Sequence, residues 1–97
     1  MNLDINELVS RMPDFRSHEE ASAWFSSEFG GQFVQKDHDV SEGKNVYYYH
    51  VIKNHEAYDR YMAYLMGEGK LDMGSMEPFE SYSTIEISED GDVSISL

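Results

Sequence analysis

The 97-residue chain has no cysteine, only two prolines and seven lysine or arginine residues. Without thiols it cannot form disulfides, Cys-ligated zinc sites or iron–sulfur clusters, and it has no thiol nucleophile. No apolar run reaches the length of about 18 residues that a membrane span needs, and the first residues are acidic and amphipathic, unlike a secretory signal. We therefore expect a cytoplasmic protein that makes no contact with membranes.

Basic residues are scarce relative to acidic ones. Nineteen Asp and Glu residues against seven Lys and Arg give a formal net charge of −12. Such a charge repels phosphate backbones and anionic lipid surfaces. Direct binding to nucleic acid is therefore not expected.

Motifs that would indicate an enzyme or a cofactor are also missing. There is no Gly-rich phosphate loop and no nucleophile elbow. A calcium loop starting at Asp37 would need glycine where Glu42 stands and glutamate where Tyr48 stands. We expect no cofactor, and we expect that the protein is not an enzyme.

What is present is the composition of one folded domain over residues 1–97, with 40% hydrophobic and 13% aromatic residues. Capping residues predict three helices. Asp4 precedes an apolar repeat that indicates a helix over residues 4–12, Ser17 begins a second helix that ends at Gly30, and Asn54 begins a third.

Extended segments follow the second helix. Runs over residues 32–40 and 44–52 flank a predicted three-residue loop, residues 41–43, and so form a hairpin. The second run contains three consecutive tyrosines and is bulky on both faces, which favours an interior strand.

Another hairpin is indicated near the end of the sequence. A three-residue loop, residues 89–91, pairs Ile87 with Val93 and Ile85 with Ile95, because a two-residue loop would mix apolar and polar faces. Residues 70–80 predict an irregular connection. The expected fold is α+β, in the order α-α-β-β-α-β-β, with a four-stranded, mostly antiparallel sheet and helices largely on one face.

Four histidines raise the question of a metal. With the three-residue loop, His38 and His50 share a face but lie four positions apart along the ladder, too far for one zinc ion. A five-residue loop would make them diagonal neighbours. A metal-dependent or acid–base enzyme that uses His38 and His50 is therefore the weakest of our function hypotheses.

The strongest asymmetry is in charge, since residues 71–97 hold seven acidic residues and no basic one. Together with exposed tyrosines, these residues predict a negative surface that fits a basic protein, although a merely solvated face is the alternative. The predicted partner-binding residues are Glu77, Glu80, Glu86, Glu89, Asp90, Asp92, Tyr48, Tyr61 and Tyr64.

Our leading hypothesis is a small non-catalytic protein-binding module, an inhibitor or adaptor that docks on a basic protein partner, of which nucleic-acid-binding proteins are one class. Phage and prophage genomes encode many proteins of this size and acidity, which is a compositional analogy. The alternative is a homodimer or larger homo-oligomer, formed when the strand over residues 94–97 lies at a sheet edge and pairs with a second copy.

Overall fold

The computed structural model describes residues 4–69 and 80–96, so Glu77 and nearly all of the predicted irregular connection lie outside the described residues. The elements confirm the expected order. They are α1 (Ile5–Arg11), α2 (His18–Phe29), a short 3-10 turn (Gly30–Gln32), β1 (Phe33–Ser41), β2 (Lys44–Ile52), α3 (His55–Leu65), β3 (Tyr82–Ser88) and β4 (Val93–Ser96).

The helices begin at the predicted capping residues. Side-chain oxygens of Asp4, Ser17 and Asn54 each accept a hydrogen bond from the amide of the third residue that follows, which satisfies a donor at the helix start. α2 ends at Gly30, where φ is 57°, a conformation that favours glycine.

The four strands form one antiparallel sheet in the order β1-β2-β3-β4. The Tyr-rich strand β2 is interior, as predicted, and β4 lies at an edge. α1 and α2 cover one face of the sheet, where the buried core forms. Its members are Leu8, Ala21, Phe25, Phe33, Tyr49, Val51, Ile85 and Ile87.

α3 packs on the other face of the sheet. The hydroxyl of its buried Tyr58 lies 2.9 Å from Nδ1 of His50, and the Tyr58 ring meets the ring of Tyr82 edge to face. The helices are thus largely, but not entirely, on one face. On the face that carries α3, residues such as Tyr48, Glu86 and Ser94 are only half-buried or exposed.

The β3–β4 hairpin has the predicted register, with Ile87 opposite Val93 and Ile85 opposite Ile95. Gly91 takes the left-handed position of the loop, with φ at 88°. It also lies under the segment before α2, because a Cβ at this residue would come within 2.7 Å of the carbonyl oxygen of Phe15.

The predicted register of the β1–β2 hairpin is wrong near its turn. Ser41 pairs with Lys44, so the loop has two residues, with φ of 53° at Glu42 and 79° at Gly43. This is the geometry of a type I′ turn, whose twist matches that of the strands. The extra residue is taken up at Lys36 by a β-bulge, beyond which the predicted pairing holds.

Candidate functional site

The bulge decides which side chains of β1 reach the surface beside α3. It sets Asp37 opposite Tyr48, and Tyr48 lies opposite Glu86, so the three side chains form one row across three strands. Side chains opposite each other on an antiparallel pair are about 5 Å apart at Cβ. Tyr48 therefore has an acidic residue as its cross-strand neighbour on each side.

We call the surface around this row the open sheet face, meaning the side of the sheet away from α1 and α2 and outside the footprint of α3. Its residues are half-buried or exposed. They are Asp37, Asp39, Val46, Tyr48, Thr84, Glu86, Ser88, Ser94 and Ser96. The face combines three carboxylates, one phenol and a rim of hydroxyl groups.

The carboxylates of the open sheet face have no cationic partner within residues 4–69 and 80–96, where the ion pairs join Arg11 to two glutamates of α1 and α2 and Lys44 to Asp90. Among the described residues, the donor to the carboxylate of Asp37 and of Asp39 is the next amide along the strand. Their negative charge is therefore directed to the surface and not neutralised within the described fold.

The other predicted acidic residues lie elsewhere. At the β3–β4 turn, Asp90 forms an ion pair with Lys44, which raises the pKa of that lysine, and the Glu89 carboxylate accepts a hydrogen bond of 2.6 Å from the Asn45 amide. These two carboxylates connect the β3–β4 turn to the start of β2. Asp92 is exposed in the same loop.

The remaining predicted residues are spread around the molecule. Glu80 is exposed just before β3. On α3, the Tyr61 ring lies 6.2 Å from that of Tyr82, and Tyr64 is 40% exposed. The structure therefore brings together Tyr48 and Glu86 but does not form a single surface from the whole predicted set.

Asp37 and Asp39 were missed as members of this face. In the predicted register both would point toward α2, since an unbulged ladder places them level with Tyr47 and Asn45. The sequence signal for this shift is Gly43 alone, because Gly suits the second position of a two-residue type I′ turn, whereas Glu42 is not one of the residues that favour the first position.

The same shift separates the two histidines of the metal hypothesis. His38 pairs with Tyr47 on the α2 face, whereas His50 pairs with Thr84 on the face that carries α3. Their imidazoles lie on opposite sides of the sheet and cannot share an ion. In the part of the chain that the structure describes, no group of three His, Asp or Glu side chains could hold a metal.

His38 belongs instead to a stack of three rings at the edge of the α2 face. The Tyr47 ring lies between those of His18, at 3.6 Å, and His38, at 4.5 Å. Nε2 of His18 is 2.6 Å from the Tyr49 hydroxyl. Burial lowers the pKa of His18, and the nearby His38 lowers it further.

A second aromatic group fixes α3 to the sheet. The His50 ring stacks on Tyr82 at 4.1 Å and contacts Tyr58, and the ammonium of Lys36 lies 5.9 Å from the centre of the Tyr58 ring. Burial lowers the pKa of His50 and raises that of Tyr82. This group of packed rings therefore forms one boundary of the open sheet face.

No protein-family model, no curated protein and no solved structure matches this chain. None of the helices in residues 4–69 and 80–96 is both long and apolar enough to cross a membrane.

Proposed function

We propose that the protein is a non-catalytic binding module that docks on a basic protein surface through its open sheet face and acts as an inhibitor or adaptor. The observation that carries the proposal is the row in which Tyr48 lies between Asp37 and Glu86. Its three members come from three neighbouring strands, so the sheet itself holds their spacing.

This arrangement suits an arginine or lysine side chain of the partner. A guanidinium stacks on the face of a tyrosine ring and donates paired hydrogen bonds to carboxylates. At the open sheet face it would find the Tyr48 ring and a carboxylate on either side. The exposed Asp39 and the hydroxyls along β3 and β4 supply further acceptors for lysines around that contact.

Net charge supports the same class of partner. At −12, the chain attracts a basic protein over a long range and speeds its encounter. Surfaces that bind nucleic-acid phosphates are rich in arginine and lysine. Docking on such a surface would cover it, and the module would then act as an inhibitor of nucleic-acid binding.

The test of the proposal is an NMR titration of the protein with a short arginine-rich peptide, which serves as the probe. We expect amide shifts to concentrate at Tyr48, Glu86 and their strand neighbours. Asp37→Asn combined with Glu86→Gln should weaken binding about tenfold or more, since it removes charge-assisted hydrogen bonds.

The matched control is Glu19→Gln with Glu20→Gln, which changes the net charge equally at two exposed residues of α2. It should weaken peptide binding less than about threefold, through the general field alone. If both pairs of substitutions weakened peptide binding equally, the peptide would respond only to the total charge of the protein. The proposed docking face would then be wrong.

A further inference from the structure

The two edges of the sheet differ in how they are protected against pairing. β1 has a bulge at Lys36 and carries Asp37 and Asp39, and bulges and charges are the means by which proteins block an edge strand. β4 has neither. Its residues Val93–Ser96 include no charged side chain and no proline.

The backbone groups that β4 leaves outward can be assigned from the loop. The amide of Ser88 donates to the carbonyl of Asp92, and the amide of Gly91 donates to the carbonyl of Ser88. Since hydrogen-bonded and non-bonded pairs alternate along an antiparallel ladder, Ser94 and Ser96 bond to β3. The N–H and C=O groups of Val93 and Ile95 therefore point away from the sheet.

Their side chains are also incompletely covered. Val93 and Ile95 pack against the core on the α2 face but remain only partly buried. The edge thus presents an apolar border on one face, serine hydroxyls on the other, and unpaired backbone groups between them within the described residues.

We propose that β4 pairs antiparallel with β4 of a second copy about a two-fold axis that passes between the two Ser94 residues. This register places Val93 opposite Ile95 of the second copy. Val93 and Ile95 of each copy then both donate one main-chain hydrogen bond to the other copy and accept one from it. It also keeps apolar side chains on the core face and serines on the open face, so the strand is complementary to itself.

Charge does not prevent this pairing. Asp92 falls opposite Ser96 of the second copy, not opposite another carboxylate. The two Glu86 side chains are separated by three strand intervals, about 14 Å, which exceeds the screening length of about 8 Å at physiological salt. Because each copy carries −12, added salt should strengthen the dimer, whereas it should weaken docking on a basic partner.

The test is sedimentation equilibrium of the full chain over a range of protein and salt concentrations. We expect a monomer–dimer equilibrium that shifts toward dimer as salt is added. Ile95→Pro removes an outward N–H that is not used by β3, and it should raise the dissociation constant roughly tenfold or more. Ile95→Ala keeps that N–H and should have a smaller effect.

A measurement on the wild-type chain removes any dependence on how the proline variant folds. Hydrogen exchange at Val93 and Ile95 should slow as protein concentration rises, while exchange at Ser94 and Ser96 should be slow throughout. A monomer at all concentrations, or a dimer with unchanged exchange at Val93 and Ile95, would overturn the proposal. Asp37→Asn with Glu86→Gln should leave the dimer intact, so failure of docking and failure of pairing are distinguishable.

Discussion

Gly91 links the β3–β4 loop to the segment before α2 through direct backbone contact. Replacement by alanine would require a left-handed conformation and would press a Cβ against the backbone of Phe15, whose ring packs on Trp24 and Phe25. We expect Gly91→Ala to lower the free energy of unfolding by about 3 kcal/mol, as measured by urea denaturation.

The control is Gly43→Ala in the other hairpin. Gly43 also has a positive φ, 79°, but a Cβ there would meet nothing within 4 Å. Only the conformational cost of about 1 kcal/mol should then appear. Equal losses for the two variants would contradict the view that the contact with Phe15, and not φ alone, requires glycine at residue 91.

The two partly buried histidines should make stability depend on pH. Burial lowers the pKa of His18 and of His50 below the ordinary value of 6.5, and the neighbouring Lys36 lowers that of His50 further. Between the folded and unfolded pKa values the unfolded chain binds more protons. Stability is therefore full above about pH 6.5 and falls as pH decreases through that window.

The measurement is the urea midpoint from about pH 7.5 to about 5.5, above the range in which most carboxylates titrate. In His18→Gln combined with His50→Gln, the slope of unfolding free energy against pH should decrease by up to about one proton per histidine. Identical slopes for the variant and the wild type would show that these two imidazoles do not cause the pH dependence of stability.

At the scale of elements, the bulge at Lys36 determines what the open sheet face displays. Deleting Lys36 should produce a regular ladder in which Asp37 still lies opposite Tyr48. Deleting His38 should also remove the bulge, but it would place Lys36 opposite Tyr48 and move Asp37 to the α2 face. Both variants should fold, because Phe33 and the turn keep their pairings.

Binding of the arginine-rich peptide separates the two deletions. The chain without Lys36 should bind at least as well as the wild type, whereas the chain without His38 should bind about tenfold more weakly, since a lysine replaces a carboxylate beside Tyr48. If the two deletions bound the peptide equally, Asp37 would have no part in the face.

The elements also differ in how far the sequence could predict them. Helix starts at Asp4, Ser17 and Asn54 depend on hydrogen bonds within four residues, and alternating Ile and Val residues fixed the β3–β4 register. β1 has no such alternation beyond Val34, so its register depends on the turn. The positive φ of Glu42 is not encoded by any residue preference as strong as that of glycine.

The error in the predicted β1–β2 register explains which residues of the candidate site could be predicted from the sequence. Glu86 belongs to β3, whose register with β4 was predicted, and Tyr48 belongs to β2, whose interior position was predicted. The pairing of β2 with β3, which brings these two residues together on the open sheet face, was not predicted. Asp37 and Asp39 depend on a one-residue shift, which moves the side chains between the bulge and the turn to the other face. Gly43 is the one sequence signal for that shift, and Glu42 before it does not support it, so the place of these residues beside Tyr48 is seen only in the structure.

For the whole molecule, an acidic binding face should lower the stability of the free protein. The open sheet face adds mutually repelling carboxylates to a chain that already carries −12. Two unit charges about 10 Å apart in water repel by roughly 0.4 kcal/mol. Asp37→Asn with Glu86→Gln should therefore raise the free energy of unfolding by about 0.5–1 kcal/mol at low salt, although it weakens docking.

The stability control for this last prediction is Asp90→Asn, which removes one negative charge but also the ion pair with Lys44. Its unfolding free energy should not rise as it does for the Asp37 and Glu86 pair, because lost attraction offsets reduced repulsion. Salt screens this repulsion, so it should raise the urea midpoint of the wild type. The difference in urea midpoint between the wild type and the Asp37 and Glu86 variant should then become smaller. A gap that persists unchanged at high salt would trace the gain to packing around Tyr48, and the repulsion that we assign to the face would be absent.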